Sequence, residues 1–127
     1  MDTTTIEGPG GRLQLLYSLP SPSATATTTT KPPILFVHGT MCSARDYAFF
    51  LPYLASRGFP AYALSVRGHG GSQEQSFLVK MLFTTADSWA QDIAAALSYV
   101  AARHPDADRP PVLGGHSLGG GRVASRA

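Results

Sequence analysis

Hydrophobic positions along this chain come in short bursts, and their spacing changes character from one burst to the next. Residues 3–6 and 12–19 are β-like and are separated by Gly8, Pro9, Gly10 and Gly11, a breaker cluster that predicts a hairpin. Ile34, Leu35, Phe36 and Val37 form a continuous apolar run, the pattern of a strand buried on both faces. Beyond it, Ser43 with Asp46 three residues later has the form of a helix N-cap pair. Tyr47, Phe50, Leu51 and Leu54 then repeat at helical spacing, with Gly58 as the expected stop, so one helix is predicted there. Residues 61–66 are strand-like and close on Arg67, Gly68, His69, Gly70, Gly71 and Ser72. From residue 87 to 103 the period is helical, with Trp89, Ile93, Leu97 and Val100 on one face and Pro105 just beyond the end. Val112, Leu113 and Gly114 make a last short strand, after which residues 120–127 would begin another helix. Strand and helix alternation predicts an α/β fold, a mainly parallel sheet with helices on both faces.

Two stretches carry no such pattern. Residues 20–33 are rich in Ser, Thr and Pro and are expected to be a flexible surface loop within one domain spanning residues 1–127. Residues 73–85 are expected to be loop with at most a turn of helix.

Composition narrows the function classes. A net charge of +2 from scattered Lys and Arg gives no basic face for nucleic acid. The one cysteine, Cys42, rules out an internal disulfide, which fits a reducing compartment. The N-terminus lacks the basic start and apolar core of a secretory signal. The longest apolar stretch, residues 93–102, is too short to span a bilayer. A cytoplasmic protein without a transmembrane segment is the expectation.

The chemistry gathers around Gly115, His116, Ser117, Leu118 and Gly119, which fit G-x-S-x-G. A serine hydroxyl lifted clear of a sheet sits on a sharp strand-to-helix turn, so the residues two before and two after it have to be small. The helix that follows aims its first N–H groups at a developing oxyanion. The plain alternative is an ordinary exposed serine in a Gly-rich loop; the strand before the motif and the helix pattern after it argue for the elbow. The other site types fail: there is no phosphate-binding G-x-x-x-x-G-K-[ST], no dinucleotide fingerprint and no His/Cys spacing for zinc, so no metal or cofactor is expected.

From residue 34 onward the chain resembles the α/β-hydrolase family in three pieces that occur in family order. These are His38 and Gly39 after the third strand, the run from Arg67 to Ser72 after the fourth, and Gly115 to Gly119 after the fifth. The resemblance implies the first five strands of that fold and assigns roles residue by residue. Ser117 matches the nucleophile. The backbone N–H groups of Leu118 and Thr40 match the oxyanion donors, with Met41 a weaker substitute for Thr40. His38, Gly39, Gly115 and Gly119 support these motifs, and the glycines after Arg67 serve tight geometry. The serine at residue 117, where some branches of the family carry aspartate, disfavours the dehalogenase and epoxide-hydrolase branches.

In this family the acid and the base follow the nucleophile, yet residues 118–127 contain no Asp, Glu or His. None of His38, His69, His104 and His116 therefore matches the family base. His38 reads as a loop-orienting residue, His69 as structural, His116 as the variable elbow position, and His104 as a helix-end residue favoured there by the charge of its ring. Asp87, Asp92, Asp106 and Asp108 match no catalytic acid, and Cys42, which has no elbow around it, reads as a small buried residue. The resemblance implies hydrolysis of a small acyl ester, thioester or amide through an acyl-serine, with this chain lacking the acid and base. The competing expectation is a non-catalytic fragment, or a binding partner that needs a complementing chain. An uncovered edge at the last strand would then invite self-association.

Overall fold

The computed structural model describes residues 1–21, 31–39, 41–76 and 86–116. Strands β1 (Asp2–Gly8) and β2 (Gly11–Ser18) form the hairpin that the Gly/Pro cluster predicts. Strands β3 (Ile34–Val37), β4 (Ala61–Ser65) and β5 (Val112–Gly115) follow, and the five lie in the order β1-β2-β4-β3-β5. β3 pairs in parallel with both β4 and β5, whereas β2 meets β4 antiparallel, so the sheet is mixed: a parallel half extended by the hairpin. β4 is central and buried along its whole length.

Alternation along the strands sorts side chains onto two faces. One face carries Leu13, Leu15, Leu35, Val37, Tyr62, Leu64 and Val66. Helix α2 (Ala86–Arg103) covers it with Trp89, Ile93, Ala96 and Val100, all buried. Asp87 in its first turn and Arg103 in its last suit the helix dipole. The other face carries Leu16, Ala61 and Ala63, small enough on β4 to let Ala44 and Leu51 pack close. Helical elements therefore lie on both faces.

On that second face the single helix expected after Ser43 is divided. A 3₁₀ turn (Ala44–Tyr47) comes first, opened by the Ser43–Asp46 capping box. Helix α1 (Phe50–Ser56) follows. Pro52 explains the break: it lacks an N–H, and its ring would collide with the carbonyl four residues earlier, so it is tolerated only in a first turn. The α-helix restarts at Phe50, two residues before it. The apolar face is correspondingly incomplete. Leu51 is buried and Leu54 half-buried, but Phe50 is exposed. Gly58, at φ +90°, ends α1 as expected. Its N–H bonds Ala55 C=O and the Phe59 N–H bonds Leu54 C=O, both at 3.0 Å, the paired closure that a left-handed residue permits.

β5 is a narrow strand for a reason visible in its register. Gly114 stands opposite Phe36, and a Cβ there would lie 2.9 Å from the Phe36 ring. That ring is stacked on Tyr47 at 4.7 Å, so it has little room to yield. The expected flexible loop falls largely on residues 22–30, outside the described residues, as do residues 77–85 of the stretch before α2 and the helix expected at residues 120–127.

Candidate active site

The register of β3 against β5 pairs Val37 with Gly115, so both strands finish at the same level of the sheet. Neighbouring strands lie about 4.8 Å apart, which makes the segments that leave them close neighbours. His38 and Gly39 leave β3 there and His116 leaves β5; Val66 to Ser72 leave β4 at the same end.

His38 is completely buried. Its Nε2 lies 3.1 Å from the Val66 nitrogen and its Nδ1 lies 2.6 Å from the Gly39 carbonyl oxygen. A backbone N–H can only donate, so Nε2 is the bare nitrogen; Nδ1 then carries the hydrogen and donates to Gly39. Burial pushes the His38 pKa below its ordinary value of 6.5, with His69 and His116 acting the same way; the Gly39 carbonyl and Asp46 oppose them. The ring is neutral, and both of its nitrogens are committed to backbone. His69 packs beside it at 5.0 Å, and Trp89 of α2 meets both imidazoles edge-on. His69 Nδ1 is 3.1 Å from the Arg67 carbonyl and donates to it.

The loop after β4 is held by two polar knots. In the first, Arg67 grips the fully buried Asp92 of α2: its N–H donates to Oδ2 at 2.9 Å, and its guanidinium reaches Oδ1 at 2.8 Å and Oδ2 at 3.1 Å. Such bidentate pairs are geometrically specific. In the second, the Ser72 hydroxyl donates to the Ser65 carbonyl and accepts the Gln14 N–H at 2.7 Å, bridging β2 and β4. Gln14 Oε1 accepts from Ser65 Oγ and from the Gly71 N–H, and Ser65 Oγ accepts the Ala44 N–H that starts the 3₁₀ turn. Gly70, at φ +54°, passes so near that a Cβ would meet Ser65 Oγ at 2.5 Å. Tyr47 closes the ring of contacts, its hydroxyl donating to the Val37 carbonyl at 2.9 Å.

The sequence profile of serine aminopeptidase, S33, matches residues 28–127. The chain belongs to this family of α/β-hydrolases. Solved structures agree on the S33 chain's fold. An epoxide hydrolase from an endophytic Streptomyces is 24% identical with a TM-score of 0.71, over 98% of this chain and 32% of that one. A protein assigned as an aryl esterase from Burkholderia cenocepacia is 26% identical at 0.72, over 98% and 40%. An α/β serine hydrolase homologue from Coxiella burnetii is 19% identical at 0.74, over 99% and 56%. The chain thus spans between about a third and just over half of the length of these proteins.

Of the S33 chain's candidate residues, His38, Gly39 and Gly115 are brought to one edge, and His116 is exposed beside them. Ser117, Leu118, Gly119 and Thr40 lie outside the described residues. Met41 is described: it is 89% exposed and has φ +63°, a left-handed conformation unusual for its type.

Asp92 anchors the Arg67 loop, a role not read from the sequence; its signal was a charged residue three positions after Trp89 and next to Ile93, on the buried face of α2. Two expectations are corrected. His104 is not favoured as a cation. Its Nε2 lies 2.7 Å from the Tyr62 hydroxyl at the opposite end of the sheet, and burial, then Arg103, push its pKa down. Cys42 is half-buried, its thiol pushed up in pKa by desolvation and by Asp46. Asp106 and Asp108 are exposed, as expected of loop carboxylates. Among the described residues no three His, Cys, Asp or Glu side chains gather as a metal site would need, and no helix is long and apolar enough to cross a membrane.

Proposed function

We propose that this chain supplies the nucleophile and the oxyanion donors of a serine hydrolase that cleaves a small acyl ester, thioester or amide through an acyl-serine. The observation that carries the reading is the Val37–Gly115 register. Thr40 follows Val37 by three residues and Ser117 follows Gly115 by two, so the two functional segments start from adjacent strand ends. In the reading, the Ser117 hydroxyl gives its proton to a histidine while Oγ bonds the acyl carbon. The N–H groups of Thr40 and Leu118 hold the oxyanion, and the leaving group departs with the proton. Water then attacks the acyl-serine, returning the proton to Ser117 and releasing the acid.

The reading assigns that role to none of the four histidines in this sequence. His38 has no free nitrogen, His104 sits at the far end of β4, His69 is turned onto the Arg67 carbonyl, and His116 is the chain neighbour of Ser117. In this reading the base and its carboxylate are supplied by a further segment, on the same or on a complementing polypeptide. Among the described residues β5 is paired on one side only, and Val112 is 48% exposed, which favours an open edge where such a segment, or a second copy, would pair.

The test is kinetic and uses the S33 chain together with the segment that restores turnover. Ser117→Ala should lower kcat by about 10⁶, as loss of a nucleophile does in a comparable triad. Hydrolysis that survives the substitution would end the reading. Comparing nitrophenyl acetate with aminoacyl nitroanilides on the same preparation decides between ester and amide substrates.

A further inference from the structure

β2 fixes the hydrogen-bonding direction of β1. Gly8 and Gly11 pair across the turn at Pro9 and Gly10, and along an antiparallel hairpin directly opposed residues alternate between exchanging both backbone bonds and exchanging none. On β2 the Arg12 carbonyl accepts the Gln73 N–H and the Gln14 N–H donates to Ser72, so both groups point away from β1. Gly11, Leu13, Leu15 and Tyr17 therefore bond β1, through Gly8, Ile6, Thr4 and Asp2. Thr3, Thr5 and Glu7 are left with their N–H and C=O groups directed out of the sheet. All three are exposed, and among the described residues β1 pairs with β2 alone. Edge strands are ordinarily guarded by Pro, Lys or a bulge. Asp2–Gly8 contains no Pro, Lys or Arg, and its register with β2 runs without a bulge.

We propose that β1 is a self-association surface: two copies of the chain pair their β1 strands antiparallel about a two-fold axis at Thr5, joining two sheets into one. The occupant is a second copy because the strand is complementary to itself, as an isologous contact requires. With Thr5 opposite Thr5, Thr3 stands opposite Glu7 of the second copy. These are the outward-directed residues, so each such pair exchanges two backbone bonds. The intervening pairs set Thr4 against Ile6 and Asp2 against Gly8, so no acid meets an acid. A shift of one residue faces outward groups with inward ones, and in one direction brings Asp2 opposite Glu7. A shift of two restores the bonding pattern but shortens the overlap. Ile6 is only partly buried on the α2 face, and the Thr4 of the second copy covers it further. The surface is separate from the β5 edge, since β2, β4 and β3 lie between them, and it does not rest on the hydrolase reading.

The experiment is sedimentation velocity of the 127-residue chain over a concentration series, which should show a monomer–dimer equilibrium. Thr5→Pro removes an N–H that the hairpin does not use. It should weaken dimerisation about tenfold or more with the far-UV circular dichroism unchanged. Thr5→Lys sets two ammonium groups face to face across the axis and should weaken it as well. Cross-linking then reads the register. In a Cys42→Ser background, Thr5→Cys should form a disulfide-linked dimer on mild oxidation, because a bonded antiparallel pair holds its Cα atoms about 5.5 Å apart, within disulfide reach. Thr3→Cys and Glu7→Cys should each fail to link alone and should link to one another when mixed. A chain that stays monomeric at millimolar concentration, or a Thr5→Cys chain that does not link, would overturn the proposal. So would dimerisation that both Thr5 substitutions leave unchanged, the result expected if copies meet at β5 instead. If Thr5→Pro does not fold, Thr5→Lys and the cross-links still decide.

Discussion

Strand β4 has a histidine at each end, and the two do different things. At its C-terminal end His38 bonds the main chain through both nitrogens, tying Gly39 to Val66. At its N-terminal end His104 bonds the Tyr62 hydroxyl, one side chain to another. Burial pushes both pKa values down, so neither burial nor titration separates them. What separates them is the object each ring holds. A histidine on backbone groups governs where a loop points, whereas a histidine on a phenol adds one local bond to the packing. The surroundings follow the same division. The His38 end carries the Arg67–Asp92 pair and the Gln14–Ser65–Ser72 knot, and the His104 end carries stacked Tyr17 and Tyr62.

The largest effect that would break this comparison is catalytic. The 127-residue polypeptide alone should hydrolyse nitrophenyl acetate negligibly, about 10⁶-fold below a complete triad. Saturable turnover at ordinary enzyme rates, dependent on Ser117, would mean that a histidine of this chain is the base. Next comes stability at the His38 end. Arg67→Ala leaves the buried Asp92 carboxylate with a backbone N–H alone and should cost about 3–5 kcal/mol in urea unfolding, the range for breaking one side of a buried pair.

A third effect treats the two ends alike. Both histidines have folded pKa values below the ordinary 6.5, so between the folded and unfolded values the unfolded chain binds more protons. Their stabilising contribution is therefore complete above 6.5 and is lost as pH falls below it. The slope is at most about 1.4 kcal/mol per pH unit for each ring. Unfolding measured across that window should become shallower when His104→Gln removes one of the two. The smallest effect sharpens the contrast. Tyr62→Phe deletes one hydrogen bond and should cost about 0.5–1.5 kcal/mol in a thermal or urea melt.

Much of this was legible in the residues. The continuous apolar runs of β3 and β4, and the Gly/Pro cluster of the hairpin, need no tertiary information to be read, because each is a local pattern. The capping box at Ser43 was legible for the same reason, but the division of the helix after it was not, until Pro52 was weighed as a first-turn residue. The role of His38 as a loop-orienting group could be suspected from its place after β3. Its Val66 partner, 28 positions away, could not, since a pairing at that separation is decided by the sheet and not by spacing. The same holds for Arg67 and Asp92, 25 positions apart, and for the Tyr62–His104 bond, which reverses the charge preference a helix end alone suggests. Ser117, Leu118 and Thr40 rest on their motifs and on the strand ends that lead to them.

The most direct measurement of the central claim is covalent labelling. The S33 chain, supplied with the segment that restores turnover, is treated with a fluorophosphonate and digested for mass spectrometry. The account expects a single phosphonyl adduct, on the peptide containing Ser117, formed in step with loss of hydrolysis. An adduct on another residue, or full inactivation with Ser117 unmodified, would contradict it.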